Sequence, residues 1–217
     1  MFELPLPLLV MTMVGIVAFA ASGAIAAARA GMDWLGVFTL AAATAIGGGT
    51  MRDLLMSTTP GWLIDFWPTV ILIAITVVVV WIAVRVFPWQ RHRAWMGRIF
   101  VFTDAIGLAS FTIVGTDIAR DAGFSVGPAV VLGVISGVGG GIIRDVLAGK
   151  RISVFDGEVY ALAAAAGSVA FLLTQSFSEW VPFLVGVAVV LIIRLGAVLT
   201  GWQVPTLATP APDTPKT

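Results

Sequence analysis

The sequence GGGTMRD at residues 47–53 returns as GGGIIRD at residues 139–145, 92 positions further along the chain. The same offset relates three further pairs of glycines: Gly15 and Gly107, Gly23 and Gly115, and Gly31 and Gly123. Because these matches extend far beyond the two glycine triplets, the sequence predicts a duplication of a large unit.

The composition is that of an integral membrane protein. Of 217 residues, 59% are hydrophobic and only 11% are charged, with a mean hydropathy of +1.04. A membrane-spanning helix needs about 20 apolar residues, so the length predicts a single helical bundle without a soluble domain. Zero formal net charge disfavours nucleic-acid partners, and the absence of cysteine with one histidine disfavours metal sites. No nucleophile–base arrangement is present, so we predict no enzyme and no cofactor.

Uncharged stretches between charged residues predict seven transmembrane helices. Their approximate bounds are 4–28, 34–51, 66–84, 99–118, 122–143, 159–178 and 180–199. We therefore predict an all-α membrane protein with one transmembrane domain over 1–203 and a disordered tail over 204–217. Repeat one covers about 8–87, repeat two about 98–177, and a seventh helix about 180–200 stands outside them. A repeat of three crossings enters the membrane from opposite sides in its two copies, which predicts an inverted 3+3 arrangement.

The basic residues predict the orientation of the chain in the membrane. Short loops after the first, third and fifth helices, together with the tail, contain Arg29, Arg85, Arg91, Arg93, Arg98, Lys150, Arg151 and Lys216. The opposite loops contain Arg120. Since cytoplasmic loops carry the excess of lysine and arginine, the N-terminus is predicted outside and the C-terminus in the cytoplasm of a plasma-membrane protein.

The two triplets, Gly47, Gly48 and Gly49 and then Gly139, Gly140 and Gly141, admit two interpretations. Small residues allow helices to pack closely in membranes. Alternatively, glycines break or kink the helix, and irregular backbone lines a polar path. Their repetition favours the second interpretation, with offset breaks in the second and fifth helices facing a central path.

Charged residues near the triplets complete the predicted site. Arg52 and Arg144 follow each triplet by three residues, Asp53 and Asp145 come next, and Thr44 and Ser136 precede each triplet by three. We predict an ion pair between Asp104 and Arg144, because helical rise places them at one depth. The repeat-one equivalent of Asp104 is Thr12, so Arg52 must use Asp53, water or another polar group.

One charged residue of the seventh helix lies outside this set and has a predicted structural role. Arg194 in the seventh helix has no repeat partner, and we predict that it snorkels or contacts a neighbouring helix.

The paired Gly-Gly-Gly-x-x-Arg-Asp motifs in a chain of this organisation resemble the prokaryotic members of the trimeric intracellular cation channel family. The resemblance covers nearly the whole chain from the first to the seventh helix, and some bacterial relatives carry a glycine-transporter name. It implies a homotrimer in the lipid bilayer, with a pore in each subunit between kinked second and fifth helices. It also implies passage of monovalent cations, chiefly K⁺, and places both triplets at the kinks, with Arg52 and Arg144 in or beside the pore.

Two functions remain open from the sequence. The first is a potassium-permeable channel of modest selectivity, because the chain lacks a TVGYG-type carbonyl filter. The second is a small-solute carrier, such as a glycine transporter, in which the helix breaks and an arginine bind a carboxylate. Arginine in a cation pathway raises the barrier for K⁺ unless a carboxylate neutralises it, so the channel interpretation requires Asp104, Asp53 and Asp145 to pair with the arginines.

Overall fold

The protein forms a bundle of helices, seen in a computed structural model that describes residues 4–86, 93–150, 152 and 159–202. The helices are α1 (Leu6–Arg29), α2 (Trp34–Leu55), α3 (Gly61–Ile64), α4 (Phe66–Val86), α5 (Arg93–Asp121), α6 (Val126–Leu147), α7 (Ala161–Leu173) and α8 (Trp180–Thr200). The predicted disordered tail over 204–217 lies outside the described residues.

Six of these helices are long and apolar enough to cross a membrane: α1, α2, α4, α5, α6 and α8. Helix α7 corresponds to the sixth predicted crossing and has only 13 residues. At 1.5 Å per residue it rises about 20 Å, less than the roughly 30 Å of the hydrocarbon core. The chain is therefore a multi-pass, all-helical membrane protein in which one apolar helix is short.

Several hydrophobic clusters hold the bundle together, and two of them are described here. Helix α1 packs against α2, α4 and α5, while α5 also packs against α6, α7 and α8. The first cluster centres on Phe19, Ala41 and Ile73, and the second on Leu108, Ala163 and Val190. Alanine and glycine are abundant along α1, and these small residues bring the helix axes close together, as is usual in membrane bundles.

The turns before and after the two glycine-containing helices are built alike. Gly31 and Gly123, which are 92 residues apart, adopt φ of +72° and +87° before α2 and α6. A left-handed conformation of this kind favours glycine over other residues. Ser57 and Gly149, again 92 apart, adopt φ of 57° and 64° after the same helices. The 92-residue offset thus also relates the local geometry of these turns.

The predicted breaks at the glycine triplets are wrong. Helix α2 runs without interruption from Trp34 to Leu55, and α6 from Val126 to Leu147, so each triplet is α-helical. Their backbone amides and carbonyls therefore stay within the helices, and the exposed amides expected at a break are absent there. Close packing accounts for these glycines without a break, and a kink at either triplet stays a prediction.

Candidate functional site

The two triplets lie against each other where α2 crosses α6. A methyl group on Gly48 would lie 2.1 Å from the carbonyl oxygen of Ser136, and one on Gly140 would lie 2.4 Å from that of Thr44. Both distances are far below van der Waals contact, so only glycine allows the helices to approach this closely. The triplets are thus in mutual contact and not offset across a central path, which corrects the predicted geometry.

These contacts are reciprocal with respect to the 92-residue offset. Gly48 faces Ser136 and Gly140 faces Thr44, so each contact is the repeat equivalent of the other. As α2 advances from Thr44 to Gly48, the facing residue in α6 moves back from Gly140 to Ser136. The two helices are therefore antiparallel at their crossing.

The pair of α1 and α5 shows the same reciprocity. A methyl group on Gly15 would lie 3.0 Å from the ring of Phe111, and one on Gly107 would lie 2.1 Å from the ring of Phe19. Phe19 and Phe111 are themselves 92 apart, and their rings stack with centroids 5.5 Å apart. Neither phenylalanine was predicted as a site residue, although the same offset marks both of them in the sequence.

Arg144 is the centre of a buried charged cluster, which we call the inner site: Arg144, Asp104, Asp145, Ser22 and Tyr160. The predicted ion pair is confirmed, because Arg144 Nη1 donates to Asp104 Oδ1. Arg144 also donates to Asp145 Oδ1 through Nε at 2.9 Å and Nη2 at 2.8 Å, and to Ser22 Oγ at 2.7 Å. The ring of Phe100 lies 4.6 Å from the guanidinium carbon.

Burial makes the pairing in the inner site necessary. Arg144 is 1% exposed, and Asp104 and Asp145 are 2% and 3% exposed. An isolated charge at such a position would cost several kcal/mol, and charge-assisted hydrogen bonds of this kind offset much of that cost. The cluster contains one arginine and two carboxylates.

Arg52 forms a simpler arrangement, which we call the outer site: Arg52, Asp53 and Ser136. Arg52 donates to Asp53 Oδ1 through Nε at 2.8 Å and Nη2 at 2.6 Å, and to Ser136 Oγ through Nη1 at 3.2 Å. Asp53 Oδ2 accepts from the amide of Gly61 at 3.0 Å. The prediction that Arg52 pairs with Asp53 and another polar group is confirmed.

The two hydroxyls predicted beside the triplets behave differently. Ser136 accepts the hydrogen bond of Arg52, whereas Thr44 donates to the carbonyl of Leu40 in its own helix at 2.6 Å. Threonine in membrane helices commonly bonds its own backbone in this way. Ser136 thus belongs to the outer site, and Thr44 contributes its carbonyl to the helix crossing.

A cavity of about 110 Å³ adjoins the outer site. Arg52, Asp53 and Gly49 line it from α2, Thr12 and Ile16 from α1, and Phe111 and Val114 from α5. Trp62 and Asp65 lie at its edge, and the Trp62 indole donates to Thr50 Oγ1 at 3.0 Å. The cavity therefore reaches from the outer arginine to the phenylalanine pair between α1 and α5.

Sequence reasoning missed Ser22 and Tyr160 of the inner site. The repeat-two equivalent of Ser22 is Val114 and the repeat-one equivalent of Tyr160 is Pro68, so the offset gave no signal for either. Among the residues that the structure describes, no group of three or more histidine or carboxylate side chains could hold a metal ion.

The fold and the site define a class: a multi-pass membrane protein with two antiparallel helix crossings and buried arginine–aspartate clusters. A family profile described as "Glycine transporter" matches the chain twice, at residues 9–85 and 101–176. The chain belongs to the UPF0126 family of bacterial membrane proteins. A Vibrio cholerae member is 40% identical over 202 residues, covering 90% of this chain and 81% of that protein. YadS of Escherichia coli is 38% identical over 202 residues, which cover 90% of this chain and 93% of that protein.

Solved structures place the same fold in the prokaryotic trimeric intracellular cation channels, which confirms the resemblance drawn from the motifs. The orthologue from Rhodobacter sphaeroides superposes with a TM-score of 0.80 at 29% identity, covering 89% of this chain and 98% of that one. A second structure is described as the structural basis for conductance through these channels. It superposes with a TM-score of 0.79 at 33% identity and covers 93% of this chain and 98% of that one.

Proposed function

We propose that this protein is a channel for monovalent cations, K⁺ in particular, and not an enzyme. The observation that carries the proposal is the pairing of both arginines with carboxylates in a fold shared with cation channels. An unpaired buried arginine would repel a cation strongly. In each site an ion pair with at least one carboxylate neutralises the arginine.

The proposed pathway runs within one subunit between the outer and inner sites. It enters at the cavity beside Arg52, passes the stacked rings of Phe19 and Phe111, and leaves beside Arg144. The aromatic pair lies between the two charged sites and supplies an apolar constriction, a feature that gates pores by excluding water. The glycines at the crossing of α2 and α6 support this path by holding the two helices together beside it.

The repeat architecture supports the pathway. The reciprocal contacts at the crossings of α1 with α5 and of α2 with α6 support a two-fold relation between the two repeats. We therefore propose an inverted 3+3 repeat plus one helix, with α7 as the seventh, short crossing. The distribution of arginine and lysine supports an N-terminus outside and a cytoplasmic C-terminus in the plasma membrane. A homotrimer is proposed because the Rhodobacter sphaeroides orthologue is trimeric.

A planar-bilayer recording of the purified protein in a KCl gradient tests the proposal. We expect unitary currents that reverse near the K⁺ equilibrium potential. Phe111→Leu and Phe19→Leu, which shorten the side chains at the proposed constriction, should increase the unitary current. Phe183→Leu is the matched control, because Phe183 pairs with Phe171 at 5.2 Å between α7 and α8, away from the path. Equal currents from all four proteins would contradict the proposed path.

One observation favours a second function, a carrier for a small solute such as glycine. The outer site adjoins a cavity while the inner site is buried, which is the one-sided access of an alternating transporter. In that case Arg52 would bind a substrate carboxylate. Saturable glycine uptake into proteoliposomes with counterflow, together with silent bilayers, would establish the carrier and reject the channel.

A further inference from the structure

The ring of Phe100, near the start of α5, has three cations around it. Arg144 is one of them; the guanidinium carbon of Arg29 lies 5.7 Å from the ring centre, and Lys150 Nζ lies 5.9 Å from it. Arg144 is paired within the inner site, whereas no carboxylate in the described part of the chain forms an ion pair with Arg29 or Lys150. Like charges repel one another, so this end of the bundle favours the approach of an anion.

A largely apolar cleft begins beside these charges. It has a volume of about 780 Å³ and lies where the end of α1 and the start of α5 meet the end of α8. Among the described residues that line it, Arg29 and Arg98 are charged and the others are apolar. Phe102 of α5 and Val198 of α8 are 53% and 43% exposed on its walls. We call this cleft, together with the adjacent Lys150, the basic cleft.

The basic cleft is not repeated in the other half of the duplication. The positions 92 residues away from Arg29, Arg98 and Lys150 carry no basic side chain: they are Asp121, Leu6 and Thr58. Helix α8, which supplies one wall, lies outside the predicted repeats. The basic cleft is therefore a feature of one end of the bundle, the end proposed to face the cytoplasm.

The chemistry of the basic cleft matches an anionic phospholipid. A phosphodiester accepts charge-assisted hydrogen bonds from arginine and lysine, and basic pockets between transmembrane helices on the cytoplasmic side suit such headgroups. An acyl chain covers exposed apolar walls, which a small water-soluble anion leaves bare. A second copy of this chain is a poorer match, because Asp33, an exposed carboxylate described at this end, already accepts from the amide of Gly36 at 2.7 Å as the N-cap of α2.

We propose that the basic cleft binds an anionic glycerophospholipid, with its phosphate at Arg29 and Arg98 and an acyl chain along α5 and α8. Lys150 adds a third positive charge beside Phe100. The lipid thereby supplies the anion that the described residues do not give to these cations. Binding is measured without any transport, so this inference stands or falls separately from the proposed channel function.

Native mass spectrometry of the purified full-length protein tests the binding. The probe is dioleoyl phosphatidylglycerol, and dioleoyl phosphatidylcholine is its zwitterionic match with the same chains. We expect phosphatidylglycerol to bind about tenfold more tightly. Arg29→Gln and Arg98→Gln should each weaken its binding about fivefold, equivalent to about 1 kcal/mol. Arg29→Lys keeps the charge and should stay within about twofold of the unmodified protein. Equal affinity for the two lipids, or a loss in Arg29→Lys as large as that in Arg29→Gln, would overturn the inference.

Arg85→Gln is the matched control for the charge. Arg85 is an exposed arginine in the last turn of α4, where its guanidinium carbon lies 5.0 Å from the centre of the Trp81 ring, outside the basic cleft. We expect phosphatidylglycerol to bind this variant as it binds the unmodified protein. A loss equal to that of Arg29→Gln would show that basic residues attract the lipid without a specific site, and the inference would be rejected.

A second pair of variants tests the place of the acyl chain. Val198→Trp narrows the basic cleft, whereas Ile192→Trp adds the same ring to α8 at a position that is 71% exposed and does not line it. We expect about fivefold weaker binding of phosphatidylglycerol in Val198→Trp alone, and no displacement of the lipid by excess inorganic phosphate. Displacement by phosphate with full binding to Val198→Trp would assign the cleft to a free anion. Absence of lipid binding with a changed number of subunits in Val198→Trp would assign it to a second copy. Either result would overturn the inference.

Discussion

The outer and inner sites begin from the same heptapeptide pattern and end in different environments. Arg52 has one carboxylate and a serine, and it borders a cavity. Arg144 has two carboxylates, a serine and an aromatic ring, and it is sealed. The difference comes from residues outside the motif, chiefly Asp104 and Tyr160 of the second repeat. The two motifs thus place the arginines alike, while the residues around each motif give them different electrostatic surroundings.

The largest expected effect is on stability and separates the two arginines. Arg144→Gln leaves Asp104, which is 2% exposed, without its cation, and breaking a buried pair in this way lowers the free energy of unfolding by about 3 to 5 kcal/mol. In Arg52→Gln, Asp53 keeps its hydrogen bond from the amide of Gly61 and borders a cavity. We therefore expect this variant to lower the free energy of unfolding by only about 1 to 2 kcal/mol. Equilibrium unfolding in mixed micelles, followed by tryptophan fluorescence, measures both.

The contrast between the outer and inner sites would be contradicted if Arg52→Gln lowered the free energy of unfolding as much as Arg144→Gln. Arg120→Gln serves as a reference, because Arg120, near the end of α5, donates to the carbonyl of Phe124 at 2.7 Å and belongs to neither site. We expect this variant to lower the free energy of unfolding by less, and it measures the effect of removing an arginine outside both sites.

The second effect contrasts neighbouring glycines of one triplet. Gly48→Ala places a methyl group 2.1 Å from the carbonyl oxygen of Ser136, which forces the helices apart and should cost about 1 to 3 kcal/mol or more. At Gly49 the nearest atom to such a methyl group is Arg52 Nη2 at 3.8 Å. Gly49→Ala should therefore stabilise the protein by up to about 1 kcal/mol through helix propensity.

The same unfolding experiment measures both glycine variants. The sign of each change in the free energy of unfolding shows whether the glycines serve close packing or break the helix. If the triplets were breaks, alanine at either position would have similar effects. Gly140→Ala should resemble Gly48→Ala, because its methyl group would lie 2.4 Å from the carbonyl oxygen of Thr44.

A third change converts the outer site toward the inner one. Thr12 lines the outer cavity at the position equivalent to Asp104. Thr12→Asp adds a carboxylate at the mouth of the proposed pathway, and we expect unitary K⁺ conductance at low salt to rise about twofold through local attraction of cations. The increase should vanish near 1 M KCl, where the Debye length is about 3 Å.

Thr12→Asn is the control for this variant, since it changes shape without charge. A conductance increase shared by Thr12→Asn, or one that persists at high salt, would show that the effect is steric. The outer site would then be irrelevant to cation entry.

Most of the architecture and half of the site could be predicted from the sequence. The offset of 92 and the uncharged stretches placed the helices, and helical rise paired Asp104 with Arg144. The function of the glycines could not be decided, because a triplet lowers helix propensity whether it breaks a helix or lets another approach. Tyr160 gave no signal, since it is the single tyrosine of the chain and has no equivalent in the first repeat. The centre of its ring lies 4.7 Å from the guanidinium carbon of Arg194, a partner that only the packing of α8 brings near.

The smallest effect concerns Lys150, which follows α6 beside the inner site. Burial lowers the pKa of Lys150, and the positive charges of Arg29 and then Arg144 lower it further. A pKa below the unfolded value means that the folded state disfavours the bound proton. Stability should therefore rise as the pH increases through the folded pKa of Lys150 and level off above the unfolded value.

Lys150→Gln tests this pH dependence, because glutamine has no proton to lose. The variant should unfold at nearly the same denaturant concentration across the alkaline range, whereas the unmodified protein becomes slightly more stable as the pH rises. Lys150 is largely exposed, so solvent screening keeps the effect small. If both proteins had the same dependence of unfolding free energy on alkaline pH, the positive charges around Phe100 would not interact with Lys150. The electrostatic difference between the two sites would then be limited to the buried residues of the inner site.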